Sequence, residues 1–393
     1  MTPVEAPERA RLDVPTHPPR FKQRIPTPPL SAGWRWGFPV LLVAAVVWSG
    51  FLVVEGFDQV LESEEGATLD VITDVTAPGF EAFVEQTWSL LAVSEDDDGR
   101  LTGVTILAVA DRHNGGGTVL VIPPEAVSGA QTLAAAHEAA GIDGLRDAVV
   151  GLLDVEVSNT ALLTPPRLTS LAEPAGAVLV PIDDAVIDGA DASAYLGQAF
   201  DDPMMRVARQ EAWWRAWFAT IGAASDPADR LPAIVIELVD VVTAVAGGNI
   251  RVLAWPSPAP GEEWVKRTVV ETFPFPIPAV PGARATVRLL NGNGDFSLNG
   301  LARELLVAQD AEVSVVGNHE NFDVIGTRVL YRDPALEAEA ARLAVVVGGG
   351  TLHDPLLSPA ADLTVILGAD FVAEHGSAAA DDGSADASTG GGA

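Results

Sequence analysis

Residues 37–54, GFPVLLVAAVVWSGFLVV, are an unbroken apolar and uncharged stretch that divides a short basic head from a long acidic remainder. As a helix this stretch would reach about 27 Å, close to the ~30 Å hydrocarbon core of a bilayer. Trp34, Arg35 and Trp36 stand at its entry as interfacial anchors. The sequence therefore predicts one transmembrane helix. Six Lys or Arg face three Asp or Glu before it, and 17 face 51 after it. Lys and Arg close to a span stay on the cytoplasmic side. The expectation is a single-pass protein of a bacterial cytoplasmic membrane, with its N-terminus inside and its main domains extracytoplasmic. A cleaved signal peptide fits less well, because the head is long and proline-broken and no small-x-small site follows Val54.

Composition narrows the function classes. A formal net charge of −31 argues against nucleic acid, which requires a basic stripe to meet phosphates. It argues equally against broad adsorption to anionic lipid or polymer, although a local Arg cluster can still grip one phosphate. With no cysteine there is neither a disulfide framework nor thiol chemistry, and a metal would have carboxylates and six His to draw on. Lys occurs only at positions 22 and 266, an Arg-dominated usage expected of a high-GC bacterium.

The chain divides by pattern. Residues 1–36 are rich in Pro and charge and lack an apolar period, so a disordered cytoplasmic head is expected. A stalk covers 55–80. Over 81–271 apolar runs such as SLLAV, VTILAVA, GTVLVIP and GAVLVPID alternate with helical stretches, AQTLAAAHEAA, LRDAVVGLLDVEV and LPAIVIELVDVVTAVA among them. That alternation predicts a larger, layered α/β domain. Residues 203–222 give the clearest helix, with Trp214, Trp217, Phe218 and Ile221 at three- and four-residue steps and Asp202–Pro203 as a starting signal. TFPFPIPAVPGA, 272–283, predicts an extended linker. Residues 284–372 read as a smaller βαβαβ-like α/β domain, and 373–393 as a low-complexity tail.

In that smaller domain VRLLNGNG, GLARELL, GTRVLY, EAEAARLA and ADLTVILGADF resemble, in order and spacing, the C-terminal domain of the LytR-CpsA-Psr group of envelope proteins. With that resemblance in view, residues 81–271 look like a diverged LytR-CpsA-Psr domain. The resemblance implies membrane-anchored enzymes that move a glycopolymer from a polyprenyl-pyrophosphate carrier to the cell wall. They use a divalent metal, Mg or Mn, and a set of Arg on the pyrophosphate.

The block DDPMMRVARQ looks like the group's Asp, Arg, Arg-Gln motif, which gives Asp201 or Asp202, Arg206, Arg209 and Gln210 those roles. The three on the helix share a face. Other motif positions depart. The group's first motif carries Asp two residues after Arg, whereas this chain has Arg100, Leu101, Thr102. Pro-Arg-Asp becomes Pro123, Pro124, Glu125, and a Tyr followed by two spaced Arg becomes Tyr195, Leu196, Gly197, Gln198, Ala199. At least three cations and one or two carboxylates are lost from a site whose chemistry depends on electrostatic stabilisation.

Each candidate has a plainer alternative. Arg100, Arg206, Arg209 and Gln210 are the pyrophosphate-binding candidates, against a solvated helix face in which Asp202 caps and pairs. Trp214, Trp217 and Phe218, with Trp213 beside them, would line a lipid groove or pack as core. Asp98 and Asp202 are the metal candidates, against an acidic turn at 96–98 and a helix cap. Asn291-Gly292-Asn293-Gly294 is better explained as a turn than as a phosphate loop, since it lacks the Lys and the spacing. The function expected is participation in wall glycopolymer assembly as a degenerate, binding or regulatory paralogue. An active metal-dependent transferase and a passive structural wall protein are the alternatives. The partners implied are the bilayer, a polyprenyl-pyrophosphate intermediate, wall glycan or other envelope proteins.

Overall fold

The computed structural model describes residues 72–231 and 236–376. The expected head, the 37–54 span, most of the stalk and the tail beyond residue 376 lie outside the described residues, and 373–376, expected as tail, are helical. Among the described residues no helix is long and apolar enough to cross a membrane. Residues 72–376 form part of one compact unit.

The chain opens with β1 (Glu81–Phe83) and then lays down β2 (Ser89–Glu95), β3 (Leu101–Val109) and β4 (Gly117–Ile122). β2, β3 and β4 pair antiparallel in succession. A short hairpin, β5 (Val127–Ser128) and β6 (Gln131–Thr132), leads to α1 (Leu133–Leu153). Thr132 caps α1 by accepting from the N–H of Ala135, and Gly141, at φ 65°, kinks it where the sequence separates two helical stretches. β7 (Asn159–Leu163) adds parallel to β2, followed by α2 (Pro165–Ala172), a small pair β8 (Val178–Val180) and β9 (Ala185–Ile187), and α3 (Ala192–Gly197). Then come α4 (Pro203–Gly222), α5 (Ile236–Ala246), β10 (Ile250–Ala254), parallel to β4, and α6 (Glu262–Thr272).

The resulting sheet has the order β10-β4-β3-β2-β7. Its strands read as continuous apolar runs because both faces are covered, and every residue of β3 is buried. Alternate side chains go opposite ways. Leu90 and Ala92 join the core under α2–α5, while Leu91 and Val93 join the core under α1 and α6. The larger domain is thus a three-layer α/β/α sandwich.

The smaller domain comprises β11 (Thr286–Asn291), α7 (Asn299–Val307), β12 (Glu312–Asn318), β13 (Arg328–Tyr331), α8 (Glu337–Val346), β14 (Gly350–His353) and β15 (Leu363–Leu367). The sheet order is β1-β12-β11-β15-β13-β14, with α7 and α8 packed on one face. The Asn-Gly-Asn-Gly stretch is a turn. Asn291 Oδ1 accepts from the N–H groups of Asn293 and Gly294, so its own side chain occupies donors a phosphate would need.

One strand of this sheet comes from the other end of the chain. β1 pairs antiparallel with β12, and Arg288 makes a bidentate ion pair with Glu81 across them. Upstream, Asn318 Nδ2 donates to the carbonyls of Val75 and Ala77 at 3.0 and 2.8 Å, and Gly79 N–H donates to His319 O. The segment leading out of the expected stalk is therefore built into the smaller domain. The Pro-rich stretch, predicted as an extended linker, bends and turns at Val280–Ala283, where Ala283 N–H donates to Val280 O, and its first half is docked. Thr87 N–H donates to Phe275 O, Phe275 N–H to Thr87 Oγ1, and Glu156 N–H to Ile277 O, while Phe273 is buried. Alternation of Pro with Phe and Ile suits such docking, because Pro brings no N–H that needs a partner.

The β1 contact depends on Gly317. A Cβ there would sit 2.2 Å from Phe80 O and 2.9 Å from Glu81 Cα, both backbone atoms. Gly317→Ala should cost about 1–3 kcal/mol as an overpacking change. Hydrogen exchange should show faster amides at 81–84, with β2–β4 protection unchanged.

Candidate functional site

β2, β4, β7 and β10 run in one direction and β3 opposes them, so four carboxyl ends and the start of β3 meet at one end of the central sheet. Crevices at such strand ends are where α/β sheets usually bind ligands. α4 brings Arg206, Arg209 and Gln210 to this end. The helix begins there because Asp202 caps it, accepting from Met204 N–H at 2.9 Å, and Pro203 occupies its first turn.

Gln210 is buried and bridges two elements. Its Nε2 donates to Thr102 O at 3.0 Å and Leu196 O at 2.8 Å, and the absence of a side chain at Gly103 makes the space. Arg206 is largely buried and makes an ion pair with Glu125, just beyond β4. Arg209 Nε lies 2.6 Å from Asp183 Oδ2, and its Nη1 donates to Gln198 Oε1. The Arg209 guanidinium also stacks on Tyr195, 3.9 Å from the ring centre, and on Phe200 at 5.0 Å. Tyr195 closes the group by donating its hydroxyl to Asp183 Oδ2 at 2.8 Å.

Arg100 is exposed in the β2–β3 turn, 2.8 Å from Asp98 and 3.7 Å from Asp96. Asp96 Oδ1 also accepts from the N–H groups of Asp98 and Arg100, which gives the acidic run a turn-forming role. Every cation proposed for a diphosphate thus has a carboxylate of the same chain against it. A buried Glu95–His137 contact of 2.8 Å lies at the same end, at the close of β2.

Asp98 and Asp202 are engaged as described, by Arg100 and by the start of α4. Among the described residues no group of three or more His, Asp or Glu comes together in a way that could hold a metal ion. Trp214, Trp217 and Phe218 are fully buried with Trp213 in the core under α4. Trp213 and Trp217 stack at 5.8 Å, and Trp214 meets Trp217 edge-on at 5.6 Å. Asp183 was not singled out from sequence. It sits in a β8–β9 turn among several acids, and only the fold shows that it faces Arg209.

Residues 284–371 match the family model LytR_C, described as LytR cell envelope-related transcriptional attenuator. No curated protein matches the chain. Among solved structures, B. subtilis TagV is similar at TM-score 0.39 and 18% identity over 48% of this chain and 97% of its own. B. subtilis TagT is similar at 0.36 and 16%, over 47% and 89%. A LytR-CPS2A-psr family protein, YwtF (TagT), with bound octaprenyl pyrophosphate lipid is similar at 0.36 and 14%, over 47% and 88%.

Gln210→Ala would leave two buried carbonyls unpaired and should lower stability by about 2–3 kcal/mol in denaturant unfolding. Burial, the largest influence, raises the Tyr195 pKa above the usual 10; Arg209 opposes this and Asp183 adds to it. A phenol held neutral in the fold contributes stability that is complete below the unfolded pKa and lost as pH rises through the folded one. Ultraviolet titration should show a phenolate transition above pH 10 that Tyr195→Phe removes.

Proposed function

We propose that this chain, whose residues 284–371 match the LytR_C family model, is a member of the LytR-CpsA-Psr group of envelope proteins and takes part in wall glycopolymer assembly as a binding or regulatory member without transferase turnover. The observation that carries this is the pairing of Arg100, Arg206 and Arg209 with Asp98, Glu125 and Asp183. Two negative charges of a diphosphate need unpaired guanidinium forks. Here carboxylates already occupy the forks, and a ligand would have to displace them against like charge. The sequence departures act in the same direction. Pro124 removes a cation beside Glu125 and leaves that carboxylate to Arg206, while Gln198 accepts from Arg209 where the resemblance implies an Arg.

The setting proposed is the outer face of a bacterial cytoplasmic membrane, with 37–54 as the anchor. It is supported by the apolar run and the basic residues before it. Wall glycan or a partner envelope protein is what such a member would bind.

The test is titration of the chain with a polyprenyl pyrophosphate, with and without Mg or Mn, followed by thermal shift and phosphate release. The wild type should show little stabilisation and no release. Replacing the partners, Glu125→Gln with Asp183→Asn, should free the guanidinium groups and tighten binding about tenfold, roughly 1.4 kcal/mol. Metal-dependent release by the wild type that Arg209→Ala abolishes would overturn the proposal in favour of a working transferase.

A further inference from the structure

Two cavities of about 280 and 240 Å³ share Phe275 and Val316 in their linings. The first is walled by the segment after β1, from Phe83 to Trp88, and by Val109–Arg112 beyond β3. The second is walled by β11, by the start of α7 with Asn299 and Arg303, and by Gly317. Through those shared residues the two cavities adjoin, where β1 and the Pro-rich stretch meet the smaller sheet. Their size falls within the ~300–1,000 Å³ of ligand sites when both are taken as one.

The lining repeats one chemical arrangement. The Arg112 guanidinium lies 5.2 Å from the Trp88 ring centre, and that of Arg303 lies 5.5 Å from Phe275. Both rings are partly exposed; Trp88 also packs against the core under α2–α5 and Phe275 against the core of the smaller domain, so each offers part of its surface to the groove. Phe83, 81% exposed, stands beside the first station. Hydrogen-bonding groups accompany the rings. Asn299 Oδ1 accepts from Asn291, which leaves its amide nitrogen without a protein partner among the described residues. Arg303 Nε is likewise unpartnered. A purely apolar ligand would strand these donors. A strongly anionic one would meet Glu85, Asp111 and a chain of net charge −31, while Arg112 and Arg303 already lie near Glu85 and Glu304 at 3.6 and 2.8 Å.

A sugar ring has an apolar C–H face and a rim of uncharged hydroxyls, and consecutive rings repeat that pattern along a chain. Two ring-and-guanidinium stations with amide donors between charge-balanced walls match such a ligand. We propose that the groove formed by these adjoining cavities is a binding site for an extended neutral glycan strand. This rests on the chain being an envelope protein of wall assembly and is separate from the arginine site at the end of the central sheet.

The test is calorimetric titration of the full chain in detergent micelles with a neutral β-1,4-linked N-acetylglucosamine hexamer, and with an anionic galacturonate hexamer of equal length. The neutral hexamer should bind. Trp88→Ala and Arg303→Ala should each raise its Kd at least tenfold, Trp88→Phe should restore most of the affinity, and Asn299→Asp, which keeps the acceptor for Asn291 and removes the amide donor, should weaken it several-fold. Glu125→Gln, at the arginine site, should leave it unaltered. No heat with the neutral hexamer, preference for the anionic one, or equal binding by the Trp88 and Arg303 variants would overturn the groove. None of those results would alter the outcome of the pyrophosphate titration, which tests the other proposal by itself.

Discussion

Burial of β3 on both faces is the constraint from which the rest of the larger domain follows. A strand with no exposed side needs a helical layer above and below it, and those layers are α2–α5 and α1 with α6. Once β2 and β4 flank it antiparallel and β7 and β10 extend them in parallel, four carboxyl ends collect at one end. The loops leaving those ends carry Asp96, Asp98 and Glu125, and α4 crosses above them. The tryptophan cluster lies on the same face of α4, one to two turns further along, and fixes the helix rotation, so the first turns of the helix present Arg206, Arg209 and Gln210 to the strand ends. Packing and electrostatics are therefore one arrangement. The rings anchor the helix that places the charges.

Those charges have been settled within the chain. A largely buried guanidinium needs a counter-charge and directed hydrogen bonds to offset its lost hydration. A bound diphosphate would supply both, and in this chain Glu125, Asp183 and Gln198 supply them. Tyr195 adds a ring beneath Arg209 and a hydroxyl to its carboxylate, which makes the second pair a four-member cluster.

Much of this was legible in sequence because it depends on local periodicity. The stripe of Trp214, Trp217, Phe218 and Ile221 announces α4, Asp202–Pro203 marks its start, and the apolar runs mark β2, β3 and β4. The family match at 284–371 agrees with the blocks seen in the sequence. What escaped depends on distance along the chain. Nothing local in Glu81–Phe83 distinguishes a strand of the smaller sheet from the opening of the larger domain. Asp183 is one acid among many until β8 and β9 turn it toward Arg209. The Pro-rich stretch has linker composition, yet its alternating Phe and Ile docks on Thr87 and Glu156, partners more than a hundred residues away.

The pairing of β1 with β12 has a consequence for the order of events in folding. Residues 81–83 leave the ribosome long before 315–317, their partners in the sheet. Until then the first strand has no edge to join, and closing so large a loop is an entropic step that the later contacts must repay. The smaller sheet is thus completed only after the larger domain has been synthesised, with one end of the chain waiting for the other. A fragment beginning at residue 284 would expose β12 as a bare edge, open to strands from other molecules.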